Sequence, residues 1–350
     1  MKSTGMLVVG VLGAMTAWGQ SPNPGGRTTG PGVQAPRDSR EPEVLKTCKV
    51  PPSAPSGRPP GPRPAAAAAT PGPKEYTVTE IPGVVAAGQK WKEIWEVDGN
   101  NADGIIATRD GGLLIAQNDN SDVVKLDKNG KTSIAYADTN TGGALAMNSK
   151  GALFVDSRGL NASVEELAPH RQTLANHYNG DSLDCIGGVL NDLTADSKGG
   201  VYFTMGGVFY SDSQGKVSSY GEKLFTNGIV LSPDEKHLYV TNGPAVAVFD
   251  VQKDGSLINQ REFAKLEGGG DGSTFDAAGR LYVTTNGGVN VIGTDGKNLG
   301  VIPTPRGVIS VAFSGPERKT LYAVSRDNAQ NKDWIIAIEM VAQGPKGRGK

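Results

Sequence analysis

A two-strand unit that recurs six times is the feature that most limits what this chain can fold into. The copies begin "DGIIATRDGGLLIA" at Asp103, "GGALAMNSKGALFV" at Gly142 and "NDLTADSKGGVYFT" at Asn191. They continue with "NGIVLSPDEKHLYVT" at Asn227, "DGSTFDAAGRLYVT" at Asp271 and "SVAFSGPERKTLYAV" at Ser310. Each is a short apolar run, a polar turn and a second run rich in β-branched and aromatic residues, which is how a β-hairpin reads. The starts lie roughly 40 residues apart, which leaves room for two more strands per repeat and marks a ring built of blades. "VVKLDKNGK" (Val123 to Lys131) and "AVAVFDVQKDG" (Ala245 to Gly255) read as such strands. The expected fold is all-β: a six-bladed β-propeller with four-stranded antiparallel blades, closed so that no sheet edge stays open. "EYTVTEIPG", ahead of the first copy, is expected to supply the outer strand that completes the last blade beside "WIIAIEM".

The propeller is expected over residues 76–342. Residues 1–19 start with Lys2, run apolar to Trp18 and end in small residues, the pattern of a secretory signal peptide. Residues 20–75 contain "PPSAPSGRPPGPRPAAAAATPGP", which cannot bury a core and reads as a disordered Pro/Gly/Ala-rich linker. Residues 343–350, "QGPKGRGK", read as a disordered basic tail. These features predict an exported protein, periplasmic or extracellular. No later stretch reaches the roughly 18 apolar residues that a membrane span needs. A formal net charge of -1 offers no basic field for nucleic acid. The two cysteines, Cys48 and Cys185, lie in the linker and the propeller. Export permits a disulfide between them without compelling one.

Alignment on the second strand places Asp103, Gly142, Asn191, Asn227, Asp271 and Ser310 at one position around the ring. The first strand of a blade borders the central channel, so these residues are expected to meet near the axis. Asp103, Asn191, Asn227 and Asp271 offer two carboxylates and two amide carbonyls. Such hard oxygen donors suit one divalent cation, Ca²⁺ first, with Mg²⁺ or Mn²⁺ as further candidates. An open metal site polarises a carbonyl or acidifies a bound water. Asp110, Asp196, Asp234 and Asp276 fall in the hairpin turns and are expected to shape them. The ends of the second strands return to the ring face. Among the residues there, Asn118, Arg158, Asn242 and Arg326 are candidate substrate contacts.

"LNDLTADSKGGVYFT", "TNGIVLSPDEKHLYVTNG", "GGGDGSTFDAAGRLYVTTNGGVNVIGTDGKNLGVIPTP" and "VAFSGPERKTLYAV" resemble the senescence marker protein-30/gluconolactonase/luciferin-regenerating-enzyme family. The likeness covers roughly Asp103 to Val324, with the motifs in order. It implies a six-bladed propeller with one divalent cation, Ca²⁺ or Zn²⁺, in the channel, and hydrolysis of a sugar lactone to the aldonic acid. It also implies Asp103, Asn191, Asn227 and Asp271 as ligands, with Asp271 as the catalytic base. The chain departs from the family in carrying Asp103 in "ADGI" where Glu in "EGP" is usual, and Val189 where some members have a substrate-binding Arg. The expected partner is a small-molecule lactone or ester. Two alternatives share the fold: a related ester or phosphotriester hydrolase, and a non-catalytic propeller that binds a ligand or an envelope partner.

Overall fold

The hairpin repeat folds into blades because its middle strands are apolar on both faces. Leu113–Gln117, Val201–Thr204 and Leu281–Thr285 are buried at every residue, since a neighbouring blade covers each side. Outer strands such as Thr132–Tyr136 face solvent on one side and lose that character. A computed structural model describes residues 38–50, 76–221, 224–347 and 349–350. The expected signal peptide and most of the expected linker lie outside the described residues.

Six four-stranded antiparallel sheets form the blades. Blade 1 starts at Ile105–Ala107, blade 2 at Leu145–Met147 and blade 3 at Asp192–Ala195. Blades 4, 5 and 6 start at Thr226–Leu231, Ser273–Phe275 and Val308–Ser314. These six first strands touch their neighbours in a closed circle, so the innermost strands line one channel. The turn acids act as expected. Asp196 accepts the Lys198 and Gly200 amides at 2.8 Å, and Asp276 accepts those of Ala278 and Arg280 at 2.9 Å.

The closing strand is a correction. Blade 6 is completed by Lys92–Asp98, antiparallel to Lys332–Glu339, and not by "EYTVTEIPG". That earlier segment and the two residues after it instead bury Val78, Ile81, Val84 and Val85 against an apolar cluster that includes Tyr282, Ile302 and Trp334. Its closely spaced apolar residues suit a compact turn, in which Ile81 and Val85 bridge each other, better than a strand.

Two further segments differ from expectation. Within the expected linker, Glu41–Leu45 forms a short helix. Just after it, Cys48 forms a disulfide with Cys185, 137 residues on. Cys185 lies in the turn Leu183–Ile186, part of an insertion between blades 2 and 3. With both thiols joined, alkylation of the unreduced, denatured protein should label neither cysteine. Labelling of either in a protein prepared under oxidising conditions would contradict this pairing.

The expected disordered tail also has a defined course. Arg318 Nη1 donates to Pro345 O at 2.6 Å, and Gly349 N to Met147 O at 3.1 Å. The Lys350 ammonium pairs with Asp192 on the first strand of blade 3, with side-chain exposure of only 7%. Small residues let this segment lie close to the inner strands: Gly349 packs on Ile106 and Met147. Among the described residues, no helix is long and apolar enough to cross a membrane.

Candidate active site and metal centre

Asp103, Asn191 and Asp271 are placed alike, each one or two residues ahead of a first strand. Their amides donate to Ala116 O at 3.1 Å, Thr204 O at 2.9 Å and Thr284 O at 2.9 Å, the same position on each second strand. Asn227 reaches the equivalent place by a bulge. The register slips between Thr226 and Ile229, so Asn227–Gly228 form an irregular step that re-aims the side chain. Gly228 is required there. A Cβ on it would lie 2.1 Å from Asp271 O, because the two blades approach backbone to backbone.

The ring position differs from the sequence alignment in two blades. Met147 pairs with Leu153, so Leu153 rather than Ala152 corresponds to Leu113. The blade 2 position is therefore Gly143, not Gly142. In blade 6, seven residues (314–320) separate the paired Phe313 and Leu321, against five (276–280) between Phe275 and Leu281. The blade 6 position is therefore Ile309, not Ser310. One repeated contact agrees with both shifts: Gly104 N donates to Gly143 O at 2.7 Å, and Gly272 N to Ile309 O at 2.9 Å. Ser310 lies one step deeper, where its hydroxyl accepts the Ile105 amide at 3.2 Å and joins blade 6 to blade 1.

The circle thus reads Asp103, Gly143, Asn191, Asn227, Asp271, Ile309. At Gly143 the missing side chain is replaced by a guanidinium. A Cβ there would sit 1.9 Å from Arg158 Cζ. Arg158 donates to Asp103 Oδ2 at 2.7 Å and to Asp156 Oδ2 at 2.9 Å, and also contacts Asn191 O. Its side chain is 6% exposed. Asn118, also buried, donates to the same Asp103 oxygen at 2.7 Å. Asn118 and Arg158, expected as substrate contacts, are thus engaged in holding Asp103.

Arg326 is engaged as well. It forms a two-pronged pair with buried Asp333, at 2.8 and 3.0 Å, and also meets Asn100 and Ala102 O. Asn242 accepts the Phe225 amide at 2.7 Å and so fixes the loop leading to Asn227. The aligned set Asp103, Asn191, Asn227 and Asp271 is brought together. The four candidate substrate contacts are each hydrogen-bonded to residues around it. For Arg158, just past the strand Leu153–Ser157, the acid two residues earlier was the available signal, since alternate residues of extended chain share a face.

The electrostatics converge on Asp271. Burial, then the nearby carboxylates of Asp103 and Asp192, push its carboxyl up to about 7. Burial also works to raise Asp103, but the charges of Arg158 and Arg326, with donation from Asn118, hold it below the usual carboxylate range. The Asp271 carboxylate accepts no hydrogen bond from a described residue. It lies with Asn227 in a cleft of about 270 Å³ whose wall includes Phe225, Thr285, Val308 and Ile309. The Asn191 and Asn227 amides contact one another beside it.

Two carboxylates and two amides around one channel fit a hard divalent cation, which would relieve the crowding of negative charge. Among the described residues, no group of three or more His, Cys, Asp or Glu side chains is arranged to hold an ion. Any cation here would take half of its protein donors from asparagines, Asn191 and Asn227. The residues that could hold it are Asp103, Asn191, Asn227 and Asp271.

Comparison with known proteins follows the same lines. A gluconolactonase of Zymomonas mobilis is 27% identical over 213 residues, which cover 51% of this chain and 59% of that protein. The chain therefore spans about three fifths of that relative's length. A solved gluconolactonase of Xanthomonas campestris superposes with a TM-score of 0.65 at 20% identity, covering 79% of this chain and 98% of that one. A calcium-binding regucalcin of Agrobacterium tumefaciens superposes with a TM-score of 0.60 at 19% identity, covering 73% and 96%. At such identities the two structures establish the shared fold alone. Residues 131–327, more than half of the chain, match the SMP-30/gluconolactonase/LRE-like family, and the protein belongs to it.

Proposed function

We propose that this protein is a metal-dependent lactone hydrolase, and that it works outside the cytoplasm. The observation that carries the reading is Asp271: a half-buried carboxylate without a described hydrogen-bond donor, facing a cleft, in a circle with Asp103, Asn191 and Asn227. The lactonases among the protein's relatives support the same reaction class. The disulfide suits an oxidising compartment.

When bound, a divalent cation supplies Lewis acidity that polarises the ester carbonyl. The chain does the rest. Arg158 and Asn118 fix Asp103 by two hydrogen bonds to one carboxylate oxygen, so its orientation is preformed. Asp271 takes a proton from the attacking water as its oxygen bonds to the carbonyl carbon. The ring C–O bond then breaks. Asp271 returns the proton to the departing ring oxygen, so lactone and water give one hydroxy acid.

The test is turnover after chelation. Protein stripped of metal should bind an ion in calorimetry, and Ca²⁺, Mg²⁺, Mn²⁺ or Zn²⁺ added singly should restore proton release from D-glucono-1,5-lactone or a simpler lactone. Spontaneous hydrolysis is subtracted. A protein that binds an ion tightly and turns over no lactone or ester with any of the four would be a binding propeller, and the hydrolase reading would be lost.

A further inference from the structure

The cleft above Asp271 has a floor and a wall of different character. The floor is polar and belongs to the ring. The wall carries the apolar side chains of Phe225, Val308 and Ile309 beside the backbone of Gly243, Gly269 and Gly270. Phe225 is 56% exposed yet belongs to the cleft lining. Its ring is not on a loose loop: its amide donates to Asn242 Oδ1 at 2.7 Å, and its carbonyl accepts the Gly243 amide at 3.3 Å. Between Asp271 and Asp103 in the circle, blade 6 contributes Val308 and Ile309, so the ring itself turns apolar beside Asp271.

The polar groups of the wall are few. The Thr285 hydroxyl donates to Gly288 O at 3.1 Å and accepts from Asn290 at 3.0 Å, so it is already satisfied. Asn286, at the exposed rim, is the remaining side-chain amide. Arg158 and Arg326 are both tied to buried acids. A sugar lactone carries a hydroxyl or hydroxymethyl on every saturated ring carbon. Each needs a partner once it leaves water, and beyond the glycine backbone the side chains of this wall offer few.

We infer that the substrate is a lactone bearing an apolar substituent, with Phe225, Val308 and Ile309 receiving that substituent and Phe225 setting the preference. The inference rests on the hydrolase reading for its chemistry and on the cleft wall for its specificity. The ester ring would sit over Asp271 and Asn227, and the apolar arm would leave along Phe225.

The experiment compares δ-decalactone with D-glucono-1,5-lactone on the metal-loaded full chain. Both have a six-membered ester ring and differ in what it carries. Binding of the unreactive lactam analogue of δ-decalactone is followed by calorimetry alongside. The expected kcat/KM favours δ-decalactone by about 100-fold, and Phe225→Ser should erase about tenfold of that while Phe225→Leu keeps most of it. The exposure of Phe225 means that both variants should melt close to the parent, which the same samples will show. A preference for the sugar lactone that Phe225→Ser leaves in place overturns the inference and keeps the hydrolase. Lactam binding that depends on Phe225, without turnover of either lactone, keeps the apolar pocket and overturns the hydrolase. Neither binding nor turnover overturns both.

Discussion

Replacing Asp271 with Asn should cut kcat by about 1000-fold and leave the melting temperature of the metal-free protein unchanged or slightly raised. The two halves of this result have one cause. Asp271 is a carboxylate pressed by burial and by the charges of Asp103 and Asp192. An amide of the same shape relieves that repulsion, so the fold does not suffer. It has no basic oxygen to take the proton of the attacking water, and groups in that role contribute about 10² to 10⁴ in rate. It also removes one of the two negative charges that a divalent cation would face, so calorimetric affinity for an ion should fall with the rate. Initial rates and thermal melts on one preparation decide the matter. A variant that keeps a tenth or more of the parental kcat excludes Asp271 as the base.

Arg326→Met should do the reverse, lowering stability by about 3 kcal/mol and the melting temperature by on the order of 10 °C. Arg326 is 13% exposed and faces Asp333, which is 1% exposed. Removing one partner of a buried pair leaves the other charge without compensation, and that is where such changes become large. Burial already holds the Asp333 carboxyl above its ordinary value despite Arg326 beside it. A raised carboxyl destabilises the fold above its unfolded-state value, near 4, and this penalty fades as the pH falls toward that value. The deficit of Arg326→Met should therefore shrink from neutral pH toward about pH 4. A substrate-binding arginine would behave otherwise: KM would rise, while the melting temperature and its pH dependence would stay put. That pattern would refute the structural role assigned here.

How far the molecule was legible in its sequence varies by element. The repeat announced six blades because each carries its own turn chemistry and its own fully apolar middle strand. Asp103, Asn191, Asn227 and Asp271 could be aligned because their hairpins differ by no more than one turn residue. Gly143 and Ile309 could not. In blade 2, Ala152 and Leu153 are both acceptable strand starts. In blade 6, the longer turn between Phe313 and Leu321 carries no mark of its extra residues. The closing strand Lys92–Asp98 was obscured because an outer strand, half in water, alternates weakly; Lys92, Glu93 and Ile94 are all exposed. The engagement of Arg326 depends on pairing with Asp333 across two strands, a relation of register that no local pattern encodes. The Lys350–Asp192 pair, 158 positions apart, is of the same kind.

The borrowed strand Lys92–Asp98 has a further consequence for how the ring comes into being. Its Glu96 accepts from Lys332 Nζ, 236 positions later, so the first strand made for the propeller is matched by almost the last. During synthesis, blades 1 to 5 can each assemble from contiguous chain as it emerges. The last blade must wait until residues 332–339 arrive. Until then Lys92–Asp98 is an unpaired edge. A nascent chain stalled before Lys332 should accordingly leave Lys92–Asp98 without its partner and the sixth blade short of its two outer strands.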